Sequence, residues 1–405
     1  MKKIVDIVTS DSLNSSIGPV QTIKRIRGSR DYFLDNGYDI NVFSNDKDDL
    51  PTGLQLKSKE SFILRVSRLV ARQLSLHTKF YPKFRIKLLM ERSRRVVDYY
   101  ISQNRHPDIL VFHSTMDCYI YLKNYRIEGV KVACFHHTDG TDEGNKMLLV
   151  YFPKLRGTDA EKAMDDNLEY TFSNVDKLVC ITKIEESNLL ALFPVLKGKT
   201  SLVVNGISDL TDEQKKDATQ IRSKSTGKKY RFVSVGSMNG RKGHKEVIEA
   251  VHLMKPELRQ DVQVLFVGGG RDKEILESLV ERYGLQEQVI FIGRVPNEEV
   301  YKYQSKSNIC ILFSKLEGLP LGLIEGLRSG LALISTNVSG IPEIIDDGVN
   351  GKLINYCFDE LLNLFNHLDQ YDWNEMGRES RRKFEEYYNF PRMRKDYLAM
   401  LDSLK

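Results

Sequence analysis

The sequence lacks the features that mark several other classes of protein. No stretch of the 405 residues approaches the roughly 20 uncharged apolar residues that a transmembrane helix needs. The five cysteines have no metal-binding spacing, and Cys134, Cys180 and Cys310 lie inside apolar runs, where a reduced thiol behaves as a small hydrophobe. The first residues, MKKIVDIVTSD, have too short an apolar run for a secretory signal and are typical of a first strand. These absences predict a cytoplasmic protein with no metal site.

Positive charge is concentrated in one part of the chain. The formal net charge is only +5, yet residues 61–100 contain ten Lys or Arg against Glu91 and Asp98, and Arg65, Arg68 and Arg72 recur at helical spacing. One interpretation is the solvated basic face of an amphipathic helix. The other is that the stretch between Arg65 and Arg95 rests on an anionic membrane surface. Nucleic acid is not an expected partner, because no nucleic-acid-binding motif accompanies the charge.

Short apolar runs alternate with amphipathic helical stretches along the whole chain. This alternation predicts an α/β fold with parallel sheets covered by helices. The length fits two domains, and the polar stretch at 209–230 has no apolar periodicity. We therefore expect an N-terminal Rossmann-like domain at 1–205, a linker at 206–228 and a C-terminal Rossmann-like domain at 229–385. Two doubly wound domains facing each other imply a cleft between them.

Candidate functional residues follow the predicted strands directly. Open parallel sheets bind ligands outside the carboxyl ends of their strands. The residues that fit this rule are Gly236 after YRFVSV, the glycines 268–270 after VQVLFV, Glu317 after ICILFS, and His136 with His137 after KVACF.

The segment FSKLEGLPLGLIEGLRSG, at 313–330, is the most informative of these. Pro320 suits the start of a helix and Gly330 suits the residue just past its end, so a helix is expected from about Pro320 to Ser329. Its N-terminus is a natural site for an anion such as a diphosphate. Glu317 precedes that helix and Glu325 lies inside it, so both can accept hydrogen bonds from hydroxyls that flank the phosphates of a nucleotide-sugar. The alternative is an ordinary strand, loop and helix with surface glutamates.

The chain resembles glycosyltransferase family 4, the retaining, metal-independent enzymes with the GT-B fold. The spacing of Glu317 and Glu325, Glu-x7-Glu, is that family's signature, and VVNGI, VGSMNGRKGHKEVIEAV and SGIPEIIDDGVNGKLI follow in the family's order over nearly the whole chain. The last stretch resembles the helix that returns to the first domain in this fold, so we expect residues 386–405 to form it.

The resemblance implies a role for each donor-site position. Glu325 would bind the ribose hydroxyls, and Glu317 would bind hydroxyls of the transferred sugar. Lys242 would neutralise the leaving diphosphate, a role that cationic side chains must fill when no metal is present. Arg294 falls in the segment that meets the nucleobase. The diphosphate would be bound by the backbone of Gly318, Leu319, Pro320 and Leu321.

One position departs from the family's pattern. The family carries an Arg after the glycine of its Gly-Arg-Leu segment as a second diphosphate ligand, and this chain has Ser237 there. A serine can donate a hydrogen bond to a phosphate but cannot neutralise it. Arg241 and Arg271 are the two candidates for compensation, and a weakened or inactive enzyme stays open.

In the first domain, the resemblance points to a loop and a histidine. Gly18 matches the glycine-containing loop that approaches the donor phosphate and the acceptor. The cluster HHTDG, 136–140, matches the position of a histidine near the reacting sugar, and we favour His137 over His136, with His113 a weaker candidate. The alternative is a strand-end histidine bonded to backbone. Asp46-Lys47-Asp48 imitates a metal-binding Asp-x-Asp, but its charged surroundings favour a surface loop.

The features and the resemblance together predict a cytoplasmic glycosyltransferase that moves a sugar to a glycan or glycoconjugate acceptor, lipid-linked or protein-linked, in surface polysaccharide or glycoconjugate synthesis. The resemblance implies a UDP-sugar as the donor. The nucleotide-sugar is a co-substrate, and no cofactor is expected. Two rival functions remain. One is a glycoside hydrolase that uses Glu317 and Glu325 as its acid and base, and the other is a catalytically silent partner of another transferase, which Ser237 favours.

Overall fold

The protein, described here by a computed structural model, is defined at residues 2–15, 18–46, 80–225 and 227–405. Arg65, Arg68 and Arg72 lie outside these described residues, as do Lys47 and Asp48. The chain forms two compact units. Unit 1 consists of Met1–Val203 together with Asp396–Lys405, and unit 2 consists of Val204–Lys395.

Unit 1 contains a six-stranded sheet whose strands are all parallel. Its order is β2-β1-β3-β4-β5-β6, so the direction of strand addition reverses between β1 and β3. The strands are β1 (Lys3–Val8), β2 (Tyr38–Phe43), β3 (Ile109–Phe112), β4 (Lys131–Phe135), β5 (Lys177–Cys180) and β6 (Thr200–Leu202).

Helices alternate with these strands in sequence. They are α1 (Gly18–Arg27), α2 (Arg30–Asp35), α3 (Phe80–Ser102), α4 (Thr115–Asn124), α5 (Asp142–Asn145), α6 (Met147–Tyr151), α7 (Asp159–Asn174) and α8 (Lys183–Leu192). Short 3-10 turns occur at Pro153–Leu155 and Pro194–Leu196. Strands β3, β4 and β5 are almost wholly buried, as expected for parallel strands covered on both faces.

Unit 2 contains a second all-parallel sheet of six strands. Its order is β12-β11-β10-β7-β8-β9, and its reversal falls between β7 and β10. The strands are β7 (Tyr230–Val235), β8 (Val262–Val267), β9 (Val289–Gly293), β10 (Ile309–Leu312), β11 (Ala332–Thr336) and β12 (Gly351–Ile354).

The helices of unit 2 also alternate with its strands. They are α9 (Asp212–Lys224), α10 (His244–Leu253), α11 (Pro256–Arg259), α12 (Lys273–Tyr283), α13 (Val300–Ser305), α14 (Leu321–Arg328), α15 (Ile341–Ile344), α16 (Phe358–Phe365) and α17 (Trp373–Lys383). The 3-10 turns lie at Asn297–Glu299 and Leu368–Gln370, and a π-helical turn lies at Phe384–Tyr388. The core of this unit includes Phe232, Phe266, Phe365 and Trp373.

A final helix, α18 (Phe390–Asp402), contributes to both units. From Asp396 onward it belongs to unit 1. There the buried ring of Tyr397 stacks on Phe135, with centroids 5.4 Å apart, and meets Phe33 edge-on at 5.7 Å. The hydroxyl of Tyr38 donates to Asp402 Oδ1 over 2.8 Å. These contacts attach residues 396–405 to the hydrophobic core of unit 1.

The segment expected to be a linker contains a helix. Within 206–228, α9 forms part of unit 2, and the hydroxyl of Tyr301 donates to Asp217 Oδ2 over 2.7 Å. Its start is fixed by a capping box, in which the Thr211 side chain accepts from the backbone of Gln214 and the Gln214 side chain accepts in return. Only Ala218 of this helix is buried, which explains why the segment has no visible apolar stripe.

Candidate active site

The reversal of strand order in unit 2 brings two loops together. β7 and β10 are neighbours in the sheet, and both are followed by loops at the same edge, because the strands are parallel. Ligands of open α/β sheets bind outside the carboxyl ends of the strands at such a switch point. The loop after β7 carries Arg241 and Lys242, and the loop after β10 carries Glu317.

A glycine allows these two loops to touch. Gly243 has φ +66°, and a Cβ atom there would lie 1.8 Å from the carbonyl oxygen of Phe313. A hydrogen bond joins the loops beside this contact, because the Lys315 amide donates to the Arg241 carbonyl over 2.9 Å. Ser314 Oγ lies 3.0 Å from the same carbonyl oxygen. The close approach brings the side chains of the first loop to Glu317.

One carboxylate oxygen of Glu317 accepts hydrogen bonds from Lys242 and Ser314 and lies beside Arg241. Its Oε1 lies 2.5 Å from Lys242 Nζ, 2.7 Å from Ser314 Oγ and 3.3 Å from Arg241 Nη1. The residue is only 6% exposed. Burial by itself would raise the pKa of Glu317, but Lys242 and Arg241 outweigh it and hold the pKa below its usual range. The group is therefore an ionised carboxylate with two cations against it. We call Arg241, Lys242, Ser314 and Glu317 the charge cluster.

Helix α14 begins four residues after Glu317, close to the predicted start. Pro320 takes the N-cap position with extended backbone, and no side chain caps the helix. The helix packs tightly at its glycines, because a Cβ at Gly322 would lie 3.0 Å from the Val235 carbonyl oxygen and one at Gly326 would lie 3.0 Å from Cys310 Cβ. Its N-terminus is thereby fixed at the carboxyl end of β7.

Glu325 lies in the second turn of α14 and is half-buried. Burial and then the charge of Glu325 raise the pKa of the Cys310 thiol to about 12, which places the carboxylate near the beginning of β10. Burial lowers the pKa of Arg328, and Glu325 opposes that shift. Glu317 and Glu325 therefore sit in different electrostatic surroundings, Glu317 among cations and Glu325 beside a buried thiol and an arginine.

Position 237 does not contribute to the charge cluster. Ser237 is exposed, and its Oγ accepts from Asn239 Nδ2 over 2.9 Å. Of the two arginines considered as compensation, Arg241 lies in the cluster, whereas Arg271 pairs with its neighbour Asp272 over 3.4 Å and is half-exposed. Arg294 lies over Gly269, where a Cβ would be 3.0 Å from Arg294 Cγ.

In unit 1, the loop after β1 is organised by an aspartate. Asp46 accepts from the Ser12 hydroxyl over 2.5 Å and from the Leu13 amide over 2.7 Å, so it holds the loop that leads towards Gly18 at the start of α1. Arg92 reaches the same loop, because its Nε donates to the Ser10 carbonyl over 2.6 Å. Arg92, which the sequence placed in the basic stretch, therefore helps to hold the loop after β1.

The three candidate histidines have different partners. His136 Nδ1 lies 2.6 Å from Glu185 Oε1, and His137 Nε2 lies 3.2 Å from His113 Nδ1. The His113 ring also stacks on Phe135 at 4.2 Å. Burial, reinforced by the adjacent His136, lowers the pKa of His137 to about 3, and burial lowers the pKa of His113 well below its usual value. His113 and His137 are therefore neutral at physiological pH.

Sequence reasoning missed Glu185. It lies in the first turn of α8, three residues after the buried N-cap Thr182 whose side chain accepts from the Glu185 amide. Like Glu317, it follows the carboxyl end of a buried strand, so the rule that found the other candidates applied to it as well.

Within the part of the chain that the structure describes, no group of three or more His, Cys, Asp or Glu is placed to bind a metal ion. In the same ranges, no helix has the length and hydropathy required to cross a bilayer.

The part of the chain that contains the charge cluster matches a known protein family. Residues 215–387 match the family model for glycosyl transferases group 1. The matched segment includes Ser237, Lys242, Arg294, Glu317 and Glu325, and it does not include Gly18 or His137.

Relatives and solved structures resemble larger parts of the chain. An uncharacterized glycosyltransferase of Methanocaldococcus jannaschii is 25% identical over 252 residues, which are 59% of this chain and 66% of that protein. Curated relatives are matched over 31% to 66% of their own length. Sucrose-phosphate synthase from Thermosynechococcus elongatus superposes with a TM-score of 0.73 at 16% identity, covering 100% of this chain and 99% of the other.

HepE from Anabaena, solved in complex with UDP, gives a TM-score of 0.65 at 13% identity and covers 100% of both chains. These likenesses, with the two parallel six-stranded sheets, confirm the predicted α/β GT-B fold.

Proposed function

We propose that this protein is a retaining, metal-independent glycosyltransferase of family 4 that moves a sugar from a UDP-sugar to a hydroxyl of a glycan or glycoconjugate. The observation that carries the proposal is the charge cluster. Two cations and an ionised carboxylate meet at the switch point of unit 2, beside the uncapped N-terminus of α14. An anionic ligand with neighbouring hydroxyls fits that combination of groups.

The diphosphate is assigned to the cations and to the start of α14. Lys242 and Arg241 bring two positive charges against the single charge of Glu317, so one positive charge is left for the ligand. Gly318, Leu319 and Leu321 can offer backbone N–H groups, whereas Pro320 contributes only its fixed φ. The positive end of the helix dipole adds to this attraction.

Lys242 has two alternative partners in this proposal. Its Nζ is bonded to Glu317, and a bound diphosphate would compete for the same ammonium group. As the sugar–phosphate bond breaks, negative charge grows on the leaving phosphate, and Lys242 stabilises it where the charge develops. Arg241 supplies the second positive charge that Ser237 lacks.

The two glutamates are assigned to hydroxyls on either side of the diphosphate. Glu317 accepts from hydroxyls of the transferred sugar, and Glu325 accepts from the ribose. Because Lys242 and Arg241 keep Glu317 ionised, it is suited to accept hydrogen bonds and poorly suited to donate a proton. The same fact weighs against the glycoside hydrolase, whose general acid needs a raised pKa.

The proposal assigns two positions in unit 1 to the reacting sugar and the acceptor. His137 is neutral and can hydrogen-bond a sugar hydroxyl without bringing a charge. Gly18 is the first residue of α1 and follows the loop expected to approach the phosphate. No residue is assigned as a covalent nucleophile. The acceptor hydroxyl attacks from the side of the leaving group, and the departing phosphate takes its proton.

The donor base and the acceptor are the finer parts of the proposal. UDP is favoured by the family resemblance and by a structural neighbour that was solved with UDP. The acceptor would be a glycan, lipid-linked or protein-linked, held by unit 1. A cytoplasmic location is part of the proposal and is supported by the free, buried thiols of Cys118, Cys134, Cys180 and Cys310.

A ligand screen followed by a turnover assay tests the proposal. A nucleotide that binds only the folded protein adds about 2.7 kcal/mol to the free energy of unfolding when its concentration is 100 times its dissociation constant. A thermal-shift screen of UDP, GDP and several UDP- and GDP-sugars detects a change of that size. The expected result is stabilisation by UDP and slow release of UDP from one UDP-sugar, with the release lost in Lys242→Ala. Binding of a nucleotide without release from any donor, with or without acceptor, would instead support the catalytically silent partner.

A further inference from the structure

A buried carboxylate contacts one of the two adjacent histidines in unit 1. Glu185 is fully buried and His136 is 3% exposed. Besides the 2.6 Å contact with His136 Nδ1, the Glu185 carboxylate accepts from the Ile181 amide over 2.6 Å and from the amide of Thr138. Three donors, from the ends of β4 and β5, therefore converge on one side chain.

The same region is held by close contacts of α8. A Cβ at Gly140, which has φ +73°, would lie 2.5 Å from the Glu185 carbonyl oxygen, so only glycine allows the chain to pass there. Asn188 Nδ2 donates to the Asp139 carbonyl over 2.8 Å. The cluster HHTDG is therefore held against α8 by the side chains of Glu185 and Asn188 and by the close backbone approach at Gly140.

The contact determines which ring nitrogen carries the proton. Burial raises the pKa of Glu185, and the hydrogen bonds from His136, Ile181 and Thr138 oppose that shift. In its ionised form the carboxylate only accepts hydrogen bonds, so His136 Nδ1 is then the donor. The other ring nitrogen, Nε2, has no hydrogen-bond partner among the described residues and is not fully enclosed by protein atoms. Solvent, or a ligand in its place, therefore reaches Nε2. In neutral His136 that atom is an acceptor.

We propose that Glu185 is a positioning residue: it holds the proton of His136 on Nδ1 and so presents Nε2 as an acceptor for a substrate hydroxyl. This inference rests on the proposed glycosyl transfer, since a sugar or acceptor hydroxyl is the donor that Nε2 would meet. A carboxylate behind a functional histidine commonly fixes both the ring orientation and the tautomer. Among the described residues the neighbouring His137 has no carboxylate partner, and its Nε2 lies 3.2 Å from His113 Nδ1.

The first experiment reads the tautomer and needs no activity. In protein labelled with ¹⁵N-histidine, long-range ¹H–¹⁵N spectra at pH 7 distinguish Nδ1–H from Nε2–H, and the His136 signal is assigned by its loss in His136→Gln. We expect wild type to carry the proton on Nδ1. A proton on Nε2 alone overturns the proposal, and this result does not depend on whether any Glu185 variant folds.

The second experiment uses Glu185→Gln, in which one acceptor oxygen becomes an NH₂ donor. Three donors then face a single acceptor oxygen, so the His136 proton is expected to move to Nε2, with Nδ1 accepting from the amide. Turnover of the UDP-sugar should fall about tenfold or more, the scale for losing an outer partner of a metal-bound histidine. The fall should lie in kcat more than in KM for the donor, because Glu185 touches neither nucleotide nor phosphate.

Thr182→Ala is the matched control. It removes the cap of the same helix, where Thr182 Oγ1 accepts from the Glu185 amide over 3.0 Å, and leaves the carboxylate and His136 in place. It should lower the melting temperature without changing the tautomer or kcat. Equal loss of turnover in both variants, or unchanged turnover in Glu185→Gln after the tautomer has moved, overturns the positioning role. If wild type processes no nucleotide-sugar at all, the proposed function fails. The tautomer measurement still decides whether Glu185 holds the proton of His136 on Nδ1.

Discussion

Removing the charge of Lys242 should destabilise unit 2 and change how its free energy of unfolding depends on pH. In Lys242→Met the buried Glu317 loses the cation 2.5 Å from its Oε1. Two opposite charges about 4 Å apart interact by about 4 kcal/mol at an effective dielectric constant near 20. Loss of one partner of a buried pair typically costs about 3 to 5 kcal/mol. Arg241 and Ser314 still reach the carboxylate, so we expect the lower end, about 3 kcal/mol, at pH 7.

The sign of the pH effect follows from the pKa of Glu317. In wild type it is lowered on folding, so Glu317 stabilises the protein above its unfolded pKa, and that stability is lost as pH falls through the folded pKa. Without Lys242, the pKa of Glu317 is higher than in wild type, because the largest charge that opposes the effect of burial is gone. The variant then regains stability as Glu317 becomes protonated. The difference in unfolding free energy between the two proteins should therefore be largest near pH 7 and shrink towards pH 4.

The chain offers a convenient probe for this measurement. Trp373 is its only tryptophan and belongs to the core of unit 2, so urea unfolding followed by tryptophan fluorescence reports on the unit that contains the cluster. The control is Lys242→Met combined with Glu317→Gln, which removes both charges and should be more stable than Lys242→Met alone. A single variant within about 0.5 kcal/mol of wild type at pH 7, with the same pH dependence, would refute the buried ion pair.

Three further predictions address other features. Glu325→Gln should weaken nucleotide binding by roughly 10- to 100-fold in calorimetry, the loss expected for hydrogen bonds to a charged group, and unchanged affinity would remove the ribose assignment. Gly243→Ala should lower the urea midpoint of unit 2 strongly, because its Cβ would lie 1.8 Å from the Phe313 carbonyl oxygen, whereas Gly240→Ala, whose nearest atom is 3.9 Å away, should be mild. Anionic vesicles should bind the protein at low salt, with about 1 kcal/mol from each surface cation, and neutral vesicles should not. Wild type that ignores anionic vesicles would favour a soluble acceptor, and binding should be lost when glutamate replaces Arg65, Arg68 and Arg72.

Most strands were predictable because parallel strands buried on both faces are continuous apolar runs. YRFVSV, VQVLFV and ICIL became β7, β8 and β10 within a residue or two. β12, with sequence GKLI, was not foreseen, since this four-residue edge strand is mostly half-buried and has no long apolar run. α9 was missed for a related reason. It buries one residue, although the capping box TDEQ marked its start.

Sequence alone named Glu317, Lys242 and Arg241 of the charge cluster, but it named neither Ser314 nor Glu185 and gave none of the pairings. Glu317 and Lys242 are 75 residues apart, and their contact depends on β7 and β10 being neighbours, an order that hydrophobic patterns do not encode. His136 and Glu185 are separated by 49 residues, and their contact likewise depends on the adjacency of β4 and β5. Position at a strand end identified Glu317 and His136, the family resemblance pointed to Lys242, and Glu185 was missed. The strand order then determined their partners.

The division of unit 1 into two segments has a consequence for synthesis. Tyr397, Met400, Leu401 and Leu404 are buried in that unit, yet the ribosome makes them only after the whole of unit 2. At about 5 to 20 residues per second, the sheet of unit 1 waits on the order of ten seconds or more for these side chains. During that interval the surface around Phe33 and Phe135 has no helix over it and is open to chaperones or to misassembly. Unit 2 is continuous in sequence and meets no such delay, so the second domain to be made can be the first to be finished.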